Sequence, residues 1–150
     1  MKKLKLSVVC ENTVGSPLPF IGEHGLSFLI EEATNTLYDT GQGFGLLNNM
    51  KVMGKDPDGI DRVIISHGHY DHTGGLMGML KARKTGLEVF CHPEAFIPKI
   101  ALYEMPGNDL EVPIGFQLSR QEYENAGASF NWISGWGKLT ESVSFITDVA

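Results

Sequence analysis

Cysteine and long hydrophobic segments are scarce in this sequence. Only two cysteines occur among the 150 residues, Cys10 and Cys91, each at the end of an apolar segment. A disulfide framework needs more cysteines, so we expect two buried free thiols and a reducing, cytoplasmic location. No apolar stretch approaches the length of a membrane span, and the N-terminal one is too short for a signal peptide, so no membrane partner is expected.

The chain is also poor in positive charge. Its formal net charge is −6, and no Lys/Arg run follows the basic start at Lys2, Lys3 and Lys5. Nucleic-acid binding needs a basic surface that contacts phosphates, so we do not expect nucleic acid as the main partner. The content of 42% hydrophobic and 20% charged residues is typical of a folded globular chain. A length of 150 residues suffices for a single domain over residues 1–150.

Histidine, in contrast, is concentrated in one short segment. Three of the five histidines and one aspartate lie within six residues, as His67, His69, Asp71 and His72. Imidazole nitrogen and carboxylate oxygen are ligands that suit a divalent metal such as zinc. A polar loop can hold one or two histidines by chance, but this spacing directly after an apolar segment favours a metal site.

The local geometry expected of this segment supports two metals rather than one. In an extended stretch the side chains of His67, His69 and Asp71 would point to one side. His72 would turn off that line where a helix begins, with Thr73 as the helix cap. One loop could therefore offer two ligands to one ion and two to a neighbouring ion.

Together with its flanking segments, this motif resembles the metallo-β-lactamase superfamily. The segments 22–30 and 37–41 resemble its opening strands, and the order of motifs is similar to a prokaryotic branch related to ribofuranosylaminobenzene phosphate-dihydropterin synthases. The resemblance implies that His67 and His69 hold the first metal and that Asp71 and His72 hold the second. It also implies a catalytic role for Asp71, which would orient the attacking hydroxide or handle its proton. Zinc is the expected cofactor, with manganese or iron as alternatives.

The resemblance also implies an α/β fold, the metallo-β-lactamase-like αββα sandwich, of which this chain supplies about the first half. Apolar patterning predicts strands at 4–10, 26–31, 36–39, 62–66, 87–91, 130–133, 138–140 and 143–147. Helices are predicted at 43–53, 76–84, 94–102 with a kink at Pro98, and 121–125. Residues 11–24 and 103–115 are predicted loops. Strands followed by strand–helix alternation indicate a mixed sheet with helices on one outer face.

Two complete metal sites need more ligands than the histidine-rich segment contains. His92 comes too early to match the superfamily's next ligand, so it either lines the substrate pocket or, alternatively, caps the next helix or faces solvent. Asp148 is a weak candidate for a bridging ligand. Asp39 either supports the motif by hydrogen bonds or forms a turn before Gly41. Glu23 and His24 could lie near the mouth of the site, although a polar loop explains them equally well.

Two functions remain open from the sequence. The first is a metal-dependent hydrolase acting on an ester, thioester or phosphoester of a small molecule through a two-metal site. The second is a truncated, non-catalytic metal-binding or interaction module that works only with a partner chain. The stop at Ala150 favours truncation, whereas the intact motif favours descent from an enzyme. Half of a two-layered sheet domain would expose one apolar sheet face, so we expect a homodimer or an associated C-terminal half.

Overall fold

A mixed sheet flanked by short helices organises the computed structural model, which describes residues 4–15 and 17–148. The basic start at Lys2 and Lys3 and the end of the chain at Ala150 lie outside the described residues. The strands are β1 (Lys5–Cys10), β2 (Ser27–Glu31), β3 (Asn35–Tyr38), β4 (Arg62–Ile64), β5 (Leu87–Cys91), β6 (Ile100–Tyr103), β7 (Leu110–Pro113), β8 (Ala128–Trp132), β9 (Trp136–Lys138) and β10 (Ser144–Ile146). The α-helices are α1 (Leu46–Val52), α2 (Tyr70–Thr73), α3 (Leu76–Ala82) and α4 (Arg120–Asn125). No helix in these ranges combines the length and the hydrophobicity needed to cross a bilayer.

The main sheet has six strands in the order β1-β2-β3-β4-β5-β8. The pairs among β1, β2 and β3 are antiparallel, whereas β3, β4, β5 and β8 run parallel. Parallel neighbours need a crossover, and the intervening segments carry the helices. Because the parallel strands end at one edge of the sheet, Asp39, Ser66 and His92 are brought to that edge.

The core lies between one face of this sheet and the helices. Side chains alternate across each strand, so Leu29, Leu37, Val63 and Val89 share the covered face and are all fully buried. Buried side chains of α1, α3 and α4 pack against them: Leu46, Met50, Leu76, Met79, Leu80 and Tyr123. The predicted mixed sheet with helices on one face is confirmed.

The opposite face of the sheet is only partly covered. On β1, Leu6 is 59% exposed and Val8 is 52% exposed, and they pair across the sheet with Ile30 and Phe28 of β2. Further along, the β9–β10 hairpin lies over this face and encloses a cavity of about 370 Å³. An apolar strip on the first two strands therefore remains accessible to solvent.

The predicted helix at 94–102 is wrong. A 3₁₀ helix spans only Pro93–Phe96, and the chain then forms β6. Pro98 disfavours helical backbone in the preceding residue, and Ile97 is accordingly extended, with φ −60° and ψ 128°. The predicted loop at 103–115 contains β7, which pairs with β6 in an antiparallel hairpin.

Two further expectations need correction. Thr73 does not cap the start of a helix; it is the last residue of α2, and its hydroxyl donates to the carbonyl oxygen of His69 at 3.0 Å. His69 is the N-cap residue instead. The strand predicted at 138–140 lies earlier, at Trp136–Lys138, because the chain turns at Thr140, whose hydroxyl accepts from the backbone N–H of Val143.

Candidate metal centre

The histidine loop, defined as Ser66–His72, follows β4 at the edge of the sheet. His67 lies before the helix, His69 is extended at φ −74° and ψ 148°, and α2 begins at the next residue. Asp71 and His72 therefore belong to the first turn of α2. The expectation that His67, His69 and Asp71 lie along one extended stretch is wrong for Asp71.

His67 and His69 form the first pair of candidate ligands. Nε2 of His67 lies 3.0 Å from Nδ1 of His69. On its other side, Nδ1 of His67 lies 2.9 Å from the hydroxyl of Ser66, which donates its proton to Asp39 Oδ2 at 2.7 Å. Since that hydroxyl proton is already donated to Asp39, the Ser66 oxygen accepts a hydrogen bond from the N–H at His67 Nδ1. The lone pair of a neutral His67 is therefore on Nε2.

Asp71 and His72 form the second pair. His72 Nδ1 lies 2.7 Å from Asp39 Oδ2 and donates to it, and its Nε2 lies 3.3 Å from Asp71 Oδ2. In a neutral His72 the lone pair on Nε2 would face a carboxylate oxygen. A proton or a metal ion between the two atoms relieves this repulsion, so the arrangement favours a bound cation.

The pKa values of the two histidines shift in opposite directions. The hydrogen bond to Asp39 raises the pKa of His72, and the charges of Asp39 and Asp71 add to the effect. Burial lowers the pKa of His67, helped by the neighbouring His72 and His69. With a pKa below 6.5, His67 is neutral at pH 7 and can bind a metal without losing a proton. His72 holds its proton more tightly than an unperturbed histidine does, so a metal there competes more strongly with the proton.

The donor set fits divalent zinc in chemistry and spacing. Zinc–ligand bonds of about 2.0–2.1 Å in a tetrahedral site separate neighbouring donors by roughly 3.3 Å. The two pairs described above show 3.0 Å and 3.3 Å. Within residues 4–15 and 17–148, no group of three or more His, Cys, Asp or Glu side chains is arranged to hold an ion as it stands. The four ligands therefore remain a prediction, made up of two adjacent pairs.

Asp39 supports both pairs of candidate ligands through hydrogen bonds. Its side chain is 1% exposed, and it accepts from the backbone N–H of Ser66 at 2.7 Å as well as from Ser66 Oγ and His72 Nδ1. Its backbone is left-handed, with φ 56°, and its carbonyl accepts from Ser27 Oγ at 2.9 Å. The interpretation that Asp39 supports the motif by hydrogen bonds is confirmed. The structure assigns no turn at residues 39–41, so the alternative interpretation gains no support.

Glycines let neighbouring backbone pack directly against the histidine loop. A Cβ on Gly68 would lie 1.8 Å from the carbonyl oxygen of Ala95, and one on Gly25 would lie 2.1 Å from that of Asp71. The backbone N–H and the hydroxyl of Thr40 also donate to the carbonyl of His72, at 2.8 and 2.9 Å. These contacts hold the loop in place independently of any metal.

A cleft of about 440 Å³ opens beside His67, and His92, Lys99 and Asp148 contribute to its wall. His92 caps the 3₁₀ helix by accepting from the N–H of Glu94 at 3.2 Å, and its Nε2 lies 3.1 Å from Asp148 Oδ1. The capping interpretation of His92 is therefore confirmed, whereas a role in lining a substrate pocket stays a prediction. Asp148 contacts His92 rather than any of the four candidate ligands, so no contact supports it as a bridging ligand.

The two cysteines lie away from this chemistry. Both are buried and free, as predicted. Burial raises the pKa of Cys10 and of Cys91 to about 12. A pKa this high disfavours the thiolate at neutral pH, so neither cysteine is a candidate nucleophile.

Three contributors to the site were not predicted in these roles: Ser66, Thr40 and Glu23. Ser66 carries a signal, since it directly precedes the first histidine of the motif. Glu23 is buried, and its carboxylate accepts from the backbone N–H groups of Gly43, Phe44 and Gly45 at 3.3, 2.7 and 2.9 Å. The only sequence signal for this role of Glu23 is that Gly22 and Gly25 flank the Glu23-His24 pair.

Comparison with protein families matches residues 21–129 to the model described as the metallo-beta-lactamase superfamily. The chain belongs to this superfamily. The match includes β2 to β5 and the whole histidine loop, so the resemblance read from the motif and the fold class are both confirmed.

Individual relatives support the same assignment. The chain is 40% identical over 99 residues to the 7,8-dihydropterin-6-methyl-4-(beta-D-ribofuranosyl)-aminobenzene-5'-phosphate synthase of Methanocaldococcus jannaschii. This match covers 62% of this chain and 34% of the synthase. Among solved structures it is similar to Tm1679, described as a metal-dependent hydrolase of the beta-lactamase superfamily. That match has a TM-score of 0.72 and 25% identity, over 96% of this chain and 48% of Tm1679.

A quorum-quenching N-acyl homoserine lactone lactonase shares the fold, with a TM-score of 0.58 and 19% identity over 97% of this chain and 62% of the lactonase. The chain therefore spans about a third of the synthase and about half of Tm1679.

Proposed function

We propose that this chain carries the first part of the active site of a metal-dependent hydrolase. The substrate is an ester, thioester or phosphoester of a small molecule. One observation carries the proposal: the buried Asp39 orients the ring of His72 directly and that of His67 through Ser66, so both Nε2 atoms face other candidate ligands.

In this proposal His67 and His69 hold one ion, and Asp71 and His72 hold a second. Zinc suits the mixture of imidazole and carboxylate donors, and manganese or iron are alternatives. When bound, divalent ions polarise the substrate's carbonyl or phosphoryl oxygen and lower the pKa of the attacking water. The ligands that complete both sites would come from the remainder of the domain or from a partner chain.

The protein groups have separate tasks in the reaction. Asp39 keeps the proton of His72 on Nδ1, so that Nε2 stays available as a donor. The carboxylate of Asp71 lies next to His72 Nε2. From there it can orient the attacking water or accept a proton from it. The cleft beside His67 gives the substrate room next to the candidate ligands, with the Lys99 ammonium in its wall.

The synthase relative favours a second candidate activity on a phosphate-bearing substrate. Its name describes synthesis of a dihydropterin linked to a ribofuranosylaminobenzene 5'-phosphate, and the chain is 40% identical to it over 99 residues. The same metal centre would then serve bond formation instead of hydrolysis. The third possibility, a non-catalytic module, is favoured by the limited donor set, since the predicted four ligands do not complete two sites.

Metal content and turnover test these alternatives. We expect purified wild type to contain zinc, manganese or iron at less than two ions per chain, and the His67→Ala/His69→Ala double variant to lose part of it. Equal metal content in both proteins would contradict the assignment. Assays of the complete domain with phosphodiester and thioester substrates then separate a hydrolase from both other possibilities, because only the hydrolase cleaves these substrates in a chelator-sensitive way.

A further inference from the structure

A third side chain, that of His24, reaches the second ligand pair. Nε2 of His24 lies 3.5 Å from Asp71 Oδ2, and Nε2 of His72 lies 3.3 Å from the same oxygen. Two imidazole nitrogens on separate segments therefore converge on one carboxylate oxygen. Both distances match the roughly 3.3 Å between neighbouring donors around tetrahedral zinc.

The loop that carries His24 is fixed on both sides of this residue. The buried carboxylate of Glu23 binds three consecutive backbone N–H groups, those of residues 43–45. Gly25 has φ +130°, and its α-carbon packs against the backbone of Asp71, where a Cβ would lie 2.1 Å from the carbonyl oxygen. The backbone of His24 is thereby held next to Asp71.

The side chain of His24 is itself 71% exposed. Besides its contact with Asp71, His24 lies near the ring of Tyr70, and the centroids of the two rings are 6.5 Å apart. A surface ion pair of this kind contributes little to stability, so it does not account for the well-anchored loop behind it. The exposed ring is free to rotate toward an ion beside Asp71 without disturbing the core.

We propose that His24 is a third protein ligand of the metal ion held by Asp71 and His72. This inference rests on the proposed function, since it needs an ion at that pair. It supplies one of the ligands that the histidine loop lacks, from a segment more than 40 residues earlier in the chain. When metal binds, His24 turns toward the ion. Its direct contact with Asp71 Oδ2 is then replaced by an arrangement in which both side chains bind the same ion.

Cobalt titration of the metal-free chain tests this assignment. Co²⁺ occupies zinc sites, and its visible absorption reports the number and type of ligands. We compare wild type with His24→Gln, and with His92→Gln as a matched control, because His92 contacts Asp148 instead of a candidate ligand. We expect His24→Gln to weaken binding of the affected ion by about tenfold or more and to change the absorption band, whereas His92→Gln leaves both unchanged.

Nuclear magnetic resonance gives a second readout. On addition of Zn²⁺, the ¹⁵N shift of His24 Nε2 should move to a value typical of metal-bound imidazole. The unfolding midpoint of the metal-free proteins checks that His24→Gln leaves the fold intact, as expected for an exposed side chain. Identical Co²⁺ affinity and spectra in wild type and His24→Gln would overturn the role of His24 alone. A wild-type chain that takes up no Co²⁺ would overturn the proposed function along with it.

Discussion

Oδ2 of Asp39 lies 2.7 Å from Nδ1 of His72, although 33 residues separate the two in the chain. The same oxygen accepts a hydrogen bond from the hydroxyl of Ser66. The oxygen of that hydroxyl in turn accepts a hydrogen bond from Nδ1 of His67. A single buried carboxylate therefore decides which nitrogen of each histidine carries its proton. The following predictions start from this relationship.

Replacing Asp39 with Asn should lower the pKa of His72. The Asp39 hydrogen bond raises this pKa above the ordinary value of 6.5. Protonated His72 therefore stabilises the metal-free fold at pH values below 6.5, and this contribution is lost as pH rises through the folded-state pKa. Titration of the His72 ring by nuclear magnetic resonance measures the shift, and the stability difference between wild type and Asp39→Asn should shrink above pH 6.5. An unchanged pKa of His72 in the variant would contradict the assignment.

Ser66→Ala should affect the His67–His69 pair and leave the Asp71–His72 pair unchanged. The variant loses the hydroxyl that orients His67 but keeps the contact between Asp39 and His72. Supporting residues of this kind change metal affinity by about 10–100-fold, so we expect zinc to bind about tenfold more weakly. The pKa of His72 should stay raised. Isothermal titration with Zn²⁺ and ring titration test both parts, and a His72 pKa that falls to 6.5 would show that the pairs are not independent.

Gly68→Ala should distort the histidine loop. The new Cβ would lie 1.8 Å from the carbonyl oxygen of Ala95, so one of the two backbone segments must move. We expect a loss of about 1–3 kcal/mol in the free energy of unfolding, as for other overpacked sites, together with weaker metal binding. Gly59→Ala is the control, since no atom lies within 4 Å of its Cβ. Denaturant unfolding that gives equal values for both variants would contradict the close packing.

Asp71→Asn should nearly abolish turnover in the complete domain. The change keeps the size of the side chain but removes its charge and most of its ability to accept a proton. Loss of a general acid–base group lowers rates by about 10²–10⁴-fold. The 150-residue chain alone should be almost inactive even without substitution, because its ligand set is incomplete. Chelator-sensitive turnover by this chain alone would show that its described residues suffice.

The exposed strip on β1 should make the chain associate with a second copy or with the second half of the domain. Leu6 and Val8 are both more than half exposed on the uncovered sheet face. Replacing both with Thr keeps residues suited to a strand but removes apolar surface. We expect sedimentation velocity to show wild type associating and the double variant as a monomer. Ile100→Thr, on the separate β6–β7 hairpin, is the control, and a monomeric wild type at high dilution would refute the prediction.

The sequence was sufficient for those parts of the fold in which local pattern and tertiary environment agree. The run predicted as a strand at 62–66 contains the parallel strand β4 (Arg62–Ile64), in which Val63 and Ile64 are buried, and the histidines follow it as expected. Pro98 shows where the pattern was insufficient. The apolar spacing around it suggested a kinked helix, but the cost of a proline within a helix and the pairing of β6 with β7 favoured strand.

The candidate site was predictable where its residues are adjacent in sequence. His67, His69, Asp71 and His72 carry their own signal in their spacing. His24 and Glu23 gave only a weak one, because their contribution depends on a loop folding back onto α2 and α1. Contacts of that kind arise from the packing of distant segments, and no local periodicity reports them.

The placement of the donors has a kinetic consequence for the folded chain. Asp39 and the histidine loop are brought together by the pairing of β3 with β4, a contact between distant parts of the chain of the kind that forms slowly. A metal ion would therefore bind late in folding and add interactions that the transition state lacks. Such interactions slow unfolding while leaving the folding rate almost unchanged. Removal of the metal would then shorten the lifetime of the folded protein in the presence of proteases.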